Sequence, residues 1–103
     1  IWLIRVNTMK KTFVLSHQKI KLPRLVEAIK FEVKKYLRRE RKKSLPEGAD
    51  YWDFDCRFGA DKDSAQVIHL GSINQHIDEA EKNELASFYL EILAKPGVKK
   101  LTE

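Results

Sequence analysis

A single cysteine, Cys56, excludes an internal disulfide and makes a reducing compartment, the cytoplasm, the expected setting. No apolar run approaches the ~18–20 residues that cross a bilayer, so no membrane partner is expected. The opening Ile1-Trp2-Leu3-Ile4 is apolar but far shorter than a signal-peptide core, and no small-residue cleavage pattern follows it. Repeats are absent. His17, His69 and His76 lack the paired spacing that holds zinc together with one cysteine. Asp61-Lys62-Asp63 opens like a calcium loop, but the sixth-position glycine and twelfth-position glutamate are missing, and that reading fails. No cofactor is implied.

The 103 residues suffice for one domain with a small core, and 43% apolar with 34% charged residues is the composition of a globular chain rather than a disordered one. Met9-Lys10-Lys11-Thr12 has the form of a natural bacterial start, so residues 1–8 read as an extension, 9–97 as a single α/β domain and 98–103 as a tail. Charge is strongly segregated. Residues 1–44 hold 14 Lys/Arg against Glu27, Glu32 and Glu40, whereas residues 45–97 hold 11 acids against Arg57, Lys62, Lys82 and Lys95. Such a dipole presents one surface to polyanions.

The β-branched and aromatic run Lys11–Leu15 predicts a first strand. Pro23 suits the first turn of a helix. Leu25, Val26, Ile29, Val33, Tyr36 and Leu37 then recur at three- and four-residue steps, predicting an amphipathic helix to about Lys43, where Leu45-Pro46-Glu47-Gly48 stops it. At ~1.5 Å per residue that helix is roughly 30 Å long, so its C-terminal turns are expected to project beyond a small sheet. Trp52, Phe54, Cys56 and Phe58 alternate with Tyr51, Asp53, Asp55 and Arg57, the period of a strand with one dry face. A loop over 59–64 returns the chain as a strand over Ala65–Leu70. Ser72 and Gln75 offer a capping box for a short acidic helix ending near Asn83, and a final strand spans Ser87–Ala94. The order β-α-β-β-α-β predicts a two-layer ferredoxin-like sandwich, an antiparallel four-stranded sheet with two helices on one face.

Three groups of residues are candidates for function. Seven of the ten residues 34–43 are basic. With Lys30, this run supplies Lys30, Lys34, Lys35, Arg38, Arg39, Arg41 and Lys42 on the exposed side of the first helix, a surface suited to the phosphates of RNA or another polyanion. The bland alternative is a solvated helix end whose cations complement the helix dipole or meet the acids Asp78, Glu79, Glu81 and Glu84 of the second helix. No aromatic RNA-binding run of the kind carried on central strands of ferredoxin-like domains is present, so any nucleic acid is expected on the helix and not on the sheet. Asp53 and Asp55 share the open sheet face ~6.5–7 Å apart, a spacing that can bridge hydrated Mg²⁺ or hold an acid and a base, with His69 nearby. A bare D-x-D is unspecific, and pairing with Arg57 or Lys95 across the sheet explains it equally. Finally, Val14, Tyr51, Tyr89 and Leu93 are candidates for a homodimer patch on the same open face.

Met9-Lys10-Lys11-Thr12-Phe13, the basic stretch Lys35–Arg41, Leu45-Pro46-Glu47-Gly48, Tyr51-Trp52-Asp53-Phe54-Asp55-Cys56, Ile68-His69 and Leu93–Gly97 together resemble a family of short bacterial proteins of unknown function. The resemblance spans residues 9–97. It implies a bacterial cytoplasmic protein and brings no activity, cofactor or catalytic residue. Taken with the residues themselves, the first expectation is a non-catalytic polyanion-binding module, the second a protein-interaction or homodimerisation module, and the third a metal-dependent enzyme using Asp53 and Asp55.

Overall fold

The computed structural model describes residues 8–99; the expectations placed on residues 1–7 and 100–103 lie outside the described residues. The chain runs β1 (Thr8–Val14), α1 (Leu22–Arg41), β2 (Tyr51–Gly59), β3 (Gln66–Ile68), α2 (Ile73–Lys82) and β4 (Ser87–Gly97), with one 3₁₀ turn at Leu70–Ser72 leading into α2. Thr8, assigned to the extension on sequence, opens β1 opposite Leu93.

The four strands form one antiparallel sheet in the order β1-β4-β2-β3. Two helices and an antiparallel sheet in β-α-β-β-α-β sequence agree with the expected class. The strand order departs from the expected ferredoxin-like one, in which the first and third strands lie centrally: here β4 and β2 are central, and β1 and β3 are the edges. Each helix still connects two parallel strands with one strand between them, β1 to β2 around β4 and β3 to β4 around β2. The local signals of both arrangements are therefore the same, and only pairing partners distinguish them.

Alternation along β2 and β4 fills the core. Phe54 and Cys56 from β2, and Phe88, Leu90, Ile92 and Ala94 from β4, pack against Val26, Ile29, Val33 and Tyr36 of α1 and Ile73, Ile77 and Ala80 of α2. Phe88, Leu90 and Ile92 are fully buried, each worth about 1.5–3 kcal/mol relative to exposure. Edge strand β1 turns a lysine inward: Lys11, opposite Leu90 and so on the helix side, pairs at 3.0 Å with Glu32 of α1. An inward charge of this kind discourages edge-to-edge pairing with another chain.

Helix ends depart from expectation at the start of α2 and at the exit of α1, whereas α2 stops near Asn83 as expected. Ser72 makes no side-chain capping bond, because the 3₁₀ turn feeds α2 directly and already holds Ser72 in a helical conformation. Glu84 closes α2 in the left-handed region at φ 55°, with the Leu85 amide donating to the Ala80 carbonyl, a cap that glycine normally supplies. Nor does α1 project. It ends at Arg41, β2 and β4 at nine and eleven residues are long enough to underlie it, and Trp52 Nε1 donates to the Lys43 carbonyl at 2.9 Å, tying its exit to β2. In the following turn the Ala49 amide donates to the Pro46 carbonyl, and Gly48 at φ 86° supplies the positive φ of a type II turn.

Candidate functional site

At 3.6 residues per turn, α1 aligns Val26, Ile29, Val33, Tyr36 and Glu40 in one stripe against the sheet. The opposite, outermost line then carries Phe31, Lys35, Arg38 and Lys42. Lys30, Lys34 and Arg41 fall on the shoulder toward α2, and Arg39 on the other shoulder. The structure thus divides the seven basic candidates. Lys30, Lys34, Arg38, Arg41 and Lys42 line one groove of 630 Å³ between α1 and the Leu70–Asn74 turn that starts α2. Lys35 and Arg39 do not line it, and Arg39 instead lies over the Tyr36 ring at 5.7 Å, beside β1.

Internal neutralisation of this surface is partial. Lys30 Nζ is taken by Asp78 Oδ1 of α2. Glu40, the one acid in the basic run, faces inward and is 2% exposed; its Oε2 lies 2.8 Å from Lys43 Nζ and 3.8 Å from Arg39 Nε. Among the described residues no carboxylate approaches within 4 Å of Lys34, Lys35, Arg38, Arg41 or Lys42. Among the described residues, Arg41 alone of these five has an aromatic contact, its guanidinium 5.5 Å from the Phe54 ring centroid. The groove floor is apolar, with Val33, Leu37, Leu70 and Ile73, and Phe31 stands at its rim, 66% exposed.

The open sheet face is arranged differently. Lys95 Nζ of β4 lies 2.9 Å from Asp55 Oδ1 and 3.9 Å from Asp53 Oδ2, and the hydrogen bond to Asp55 raises the lysine's pKa. Asp53 also accepts the Phe54 amide at 2.9 Å. The Tyr89 hydroxyl donates to Glu91, and the Arg57 guanidinium to the Ala65 carbonyl. Asp53, Asp55 and His69 border one shallow cavity of 440 Å³ beside β3, together with the core-side Phe54, Cys56 and Leu70, and His69 follows β3 rather than lying in it. A protein cation already bridges the two acids, however, and no three His, Cys, Asp or Glu side chains among the described residues gather closely enough to hold one metal ion. Cys56 is buried in the core, its thiol pushed up to about 11 by burial first and then by Asp55 and Asp53, which leaves it a neutral hydrophobe at ordinary pH.

Two residues of α1, Glu40 and Phe31, shape this surface and escape a reading that follows its basic residues alone. Glu40 continues the Val33–Tyr36 steps and so belongs to the buried stripe, a signal obscured by its charge. Phe31 falls off that stripe altogether, which the same periodicity shows.

The fold and groove define a small α+β domain, with no helix among the described residues long and apolar enough to cross a membrane, and with a basic cleft along its first helix. The chain belongs to a family of unknown function (DUF6172), whose model matches residues 9–103 and so takes in the tail beyond the resemblance over 9–97. No curated protein and no solved structure matches it.

Proposed function

We propose that this protein is a cytoplasmic, non-catalytic polyanion-binding module, with RNA as its ligand, acting through the groove between α1 and α2. The observation that carries this reading is the row of cations Lys34, Arg38, Arg41 and Lys42, which have no carboxylate partner among the described residues, along a cleft where the described residues make one cation–carboxylate contact, Lys30 with Asp78. Unpaired like charges held along one helix are unfavourable in isolation, and phosphates relieve that repulsion. Arginine forks at positions 38 and 41 match phosphate oxygens bidentately. The alternative, homodimerisation through the open sheet face, draws less support. Tyr89 there is buried with its hydroxyl on Glu91, and the neighbouring Lys95 and Asp55 are paired with each other.

With about four phosphates engaged, the logarithm of affinity should fall with that of salt at a slope near −3, roughly a fifty- to hundredfold loss between 50 and 200 mM salt. A ¹⁵N-HSQC titration with short mixed-sequence RNA is the test. Salt-sensitive shifts on residues 30–43 are expected in the wild type and are lost in the Arg38→Glu/Arg41→Glu variant, whereas Lys62→Glu in the distant hairpin loop leaves them intact. A silent spectrum at low salt, or undiminished binding by the double variant, refutes the proposal.

A further inference from the structure

Phe31 sits where a folded chain has no use for a phenylalanine. It is two-thirds exposed, diametrically opposite the buried stripe of α1, and no aromatic partner or core contact accounts for it among the described residues. A single exposed hydrophobe is ordinary on a protein surface. The surroundings of this one are not: it shares the outermost line of the helix with Lys35, Arg38 and Lys42 and lies on the rim of the cationic groove, with Lys34 one turn on. From Phe31 to Lys42 the line rises ~16 Å along the helix.

A planar apolar ring beside a track of cations is the arrangement that recognises single-stranded nucleic acid, in which phosphates follow the charges and an unstacked base lies on the ring. In a duplex every base face is already covered. An inorganic polyanion has no face to offer. An acidic peptide satisfies the cations but supplies nothing planar. Building on the polyanion reading above, we infer that the ligand is single-stranded, and that one base stacks on Phe31 while the phosphates to one side of it run along Lys34, Arg38, Arg41 and Lys42. The span corresponds to on the order of four nucleotides, the lower end of site sizes for single-strand binders.

The test compares four ligands by fluorescence anisotropy at 50 mM salt: a labelled 12-nucleotide single-stranded RNA, the same length of duplex RNA, polyphosphate and poly-glutamate. The proteins are the full chain as wild type, Phe31→Ala, Phe31→Tyr and Arg38→Glu/Arg41→Glu. Phe31→Ala should weaken the single strand roughly tenfold to a hundredfold. It should leave polyphosphate affinity within about twofold, and Phe31→Tyr should restore the single strand, because tyrosine keeps the stacking face. Equal binding of the single strand by Phe31→Ala and wild type, with Arg38→Glu/Arg41→Glu still abolishing it, overturns the stacking inference and leaves the polyanion reading standing. Duplex RNA or poly-glutamate binding as tightly as the single strand also overturns it, as does a parallel loss of polyphosphate binding in Phe31→Ala. If the wild type binds none of the four, the polyanion reading fails and this inference fails with it.

Discussion

Glu40 and Lys43 should respond unequally to truncation, and the inequality follows from their burial. The carboxylate is 2% exposed whereas the lysine side chain is 39% exposed, so one member of the pair can turn to water and the other cannot. Among the described residues, Lys43→Ala strands a buried anion with only Arg39, 3.8 Å away and largely exposed, to compensate it. Stranding a fully buried charge costs about 3–5 kcal/mol. With Arg39 near and the site at a helix end, about 2–3 kcal/mol is expected here. The substitution leaves the Lys43 carbonyl and its bond from Trp52 in place, so the effect isolates the charge. Glu40→Leu instead replaces the anion by an apolar side chain on the buried stripe and frees Lys43 to solvent. Such replacements are commonly neutral or stabilising. The double variant should therefore recover most of what Lys43→Ala loses. Urea denaturation of the four proteins reads this directly, and for a domain of this size the Lys43→Ala loss corresponds to roughly 10–20 °C in Tm. A Lys43→Ala variant within about 0.5 kcal/mol of wild type, or a Glu40→Leu variant less stable than Lys43→Ala, refutes the argument.

Two further outcomes are expected. Folded Cys56 should resist thiol reagents at pH 8 and react on unfolding; because its pKa rises from an ordinary 9.0 to about 11, the stability linked to it is intact below pH 9 and declines as the pH climbs toward 11, a decline that Cys56→Ala should lack when denaturation midpoints are compared. Gly59→Ala places a Cβ 2.6 Å from the Ala65 Cα, where only backbone can yield, and should cost about 2–3 kcal/mol in denaturation; at Gly97 the added carbon meets the exposed Tyr51 ring, which can swing aside, so Gly97→Ala should cost less than about 1 kcal/mol, and equal losses at the two sites would contradict this reading.

The alternation of Trp52, Phe54, Cys56 and Phe58 and the three- and four-residue steps of Val26, Ile29, Val33 and Tyr36 carry their own geometry, so β2, α1 and the face each buries are legible from residue spacing alone. The sheet order is not. Long-range pairing decides which strand β4 joins, and nothing in the composition of Ser87–Gly97 distinguishes a central place from an edge beyond its near-continuous burial. The basic run is equally plain, but its partition is hidden: Lys30 meets Asp78 across a helix–helix contact 48 residues away in sequence, and Glu40 is internal although it sits among cations. Ser72 and Gln75 show the opposite failure, a correct local signature displaced by a 3₁₀ turn that the cap pattern does not anticipate.

The place of β4 between β1 and β2 has a consequence for how the chain comes into being. During synthesis β1 emerges first and finds no neighbour, since its one ladder is to β4; β2 and β3 can close their hairpin, but one long side of β2 stays bare. The apolar faces of both helices are in the same position, waiting on Phe88, Leu90 and Ile92. Until β4 has left the ribosome the described elements are a set of unfinished edges, and then a single segment completes two ladders and the core together. A chain interrupted before that strand has no smaller native structure to fall back on, so the nascent protein is either finished or a substrate for chaperones and proteases.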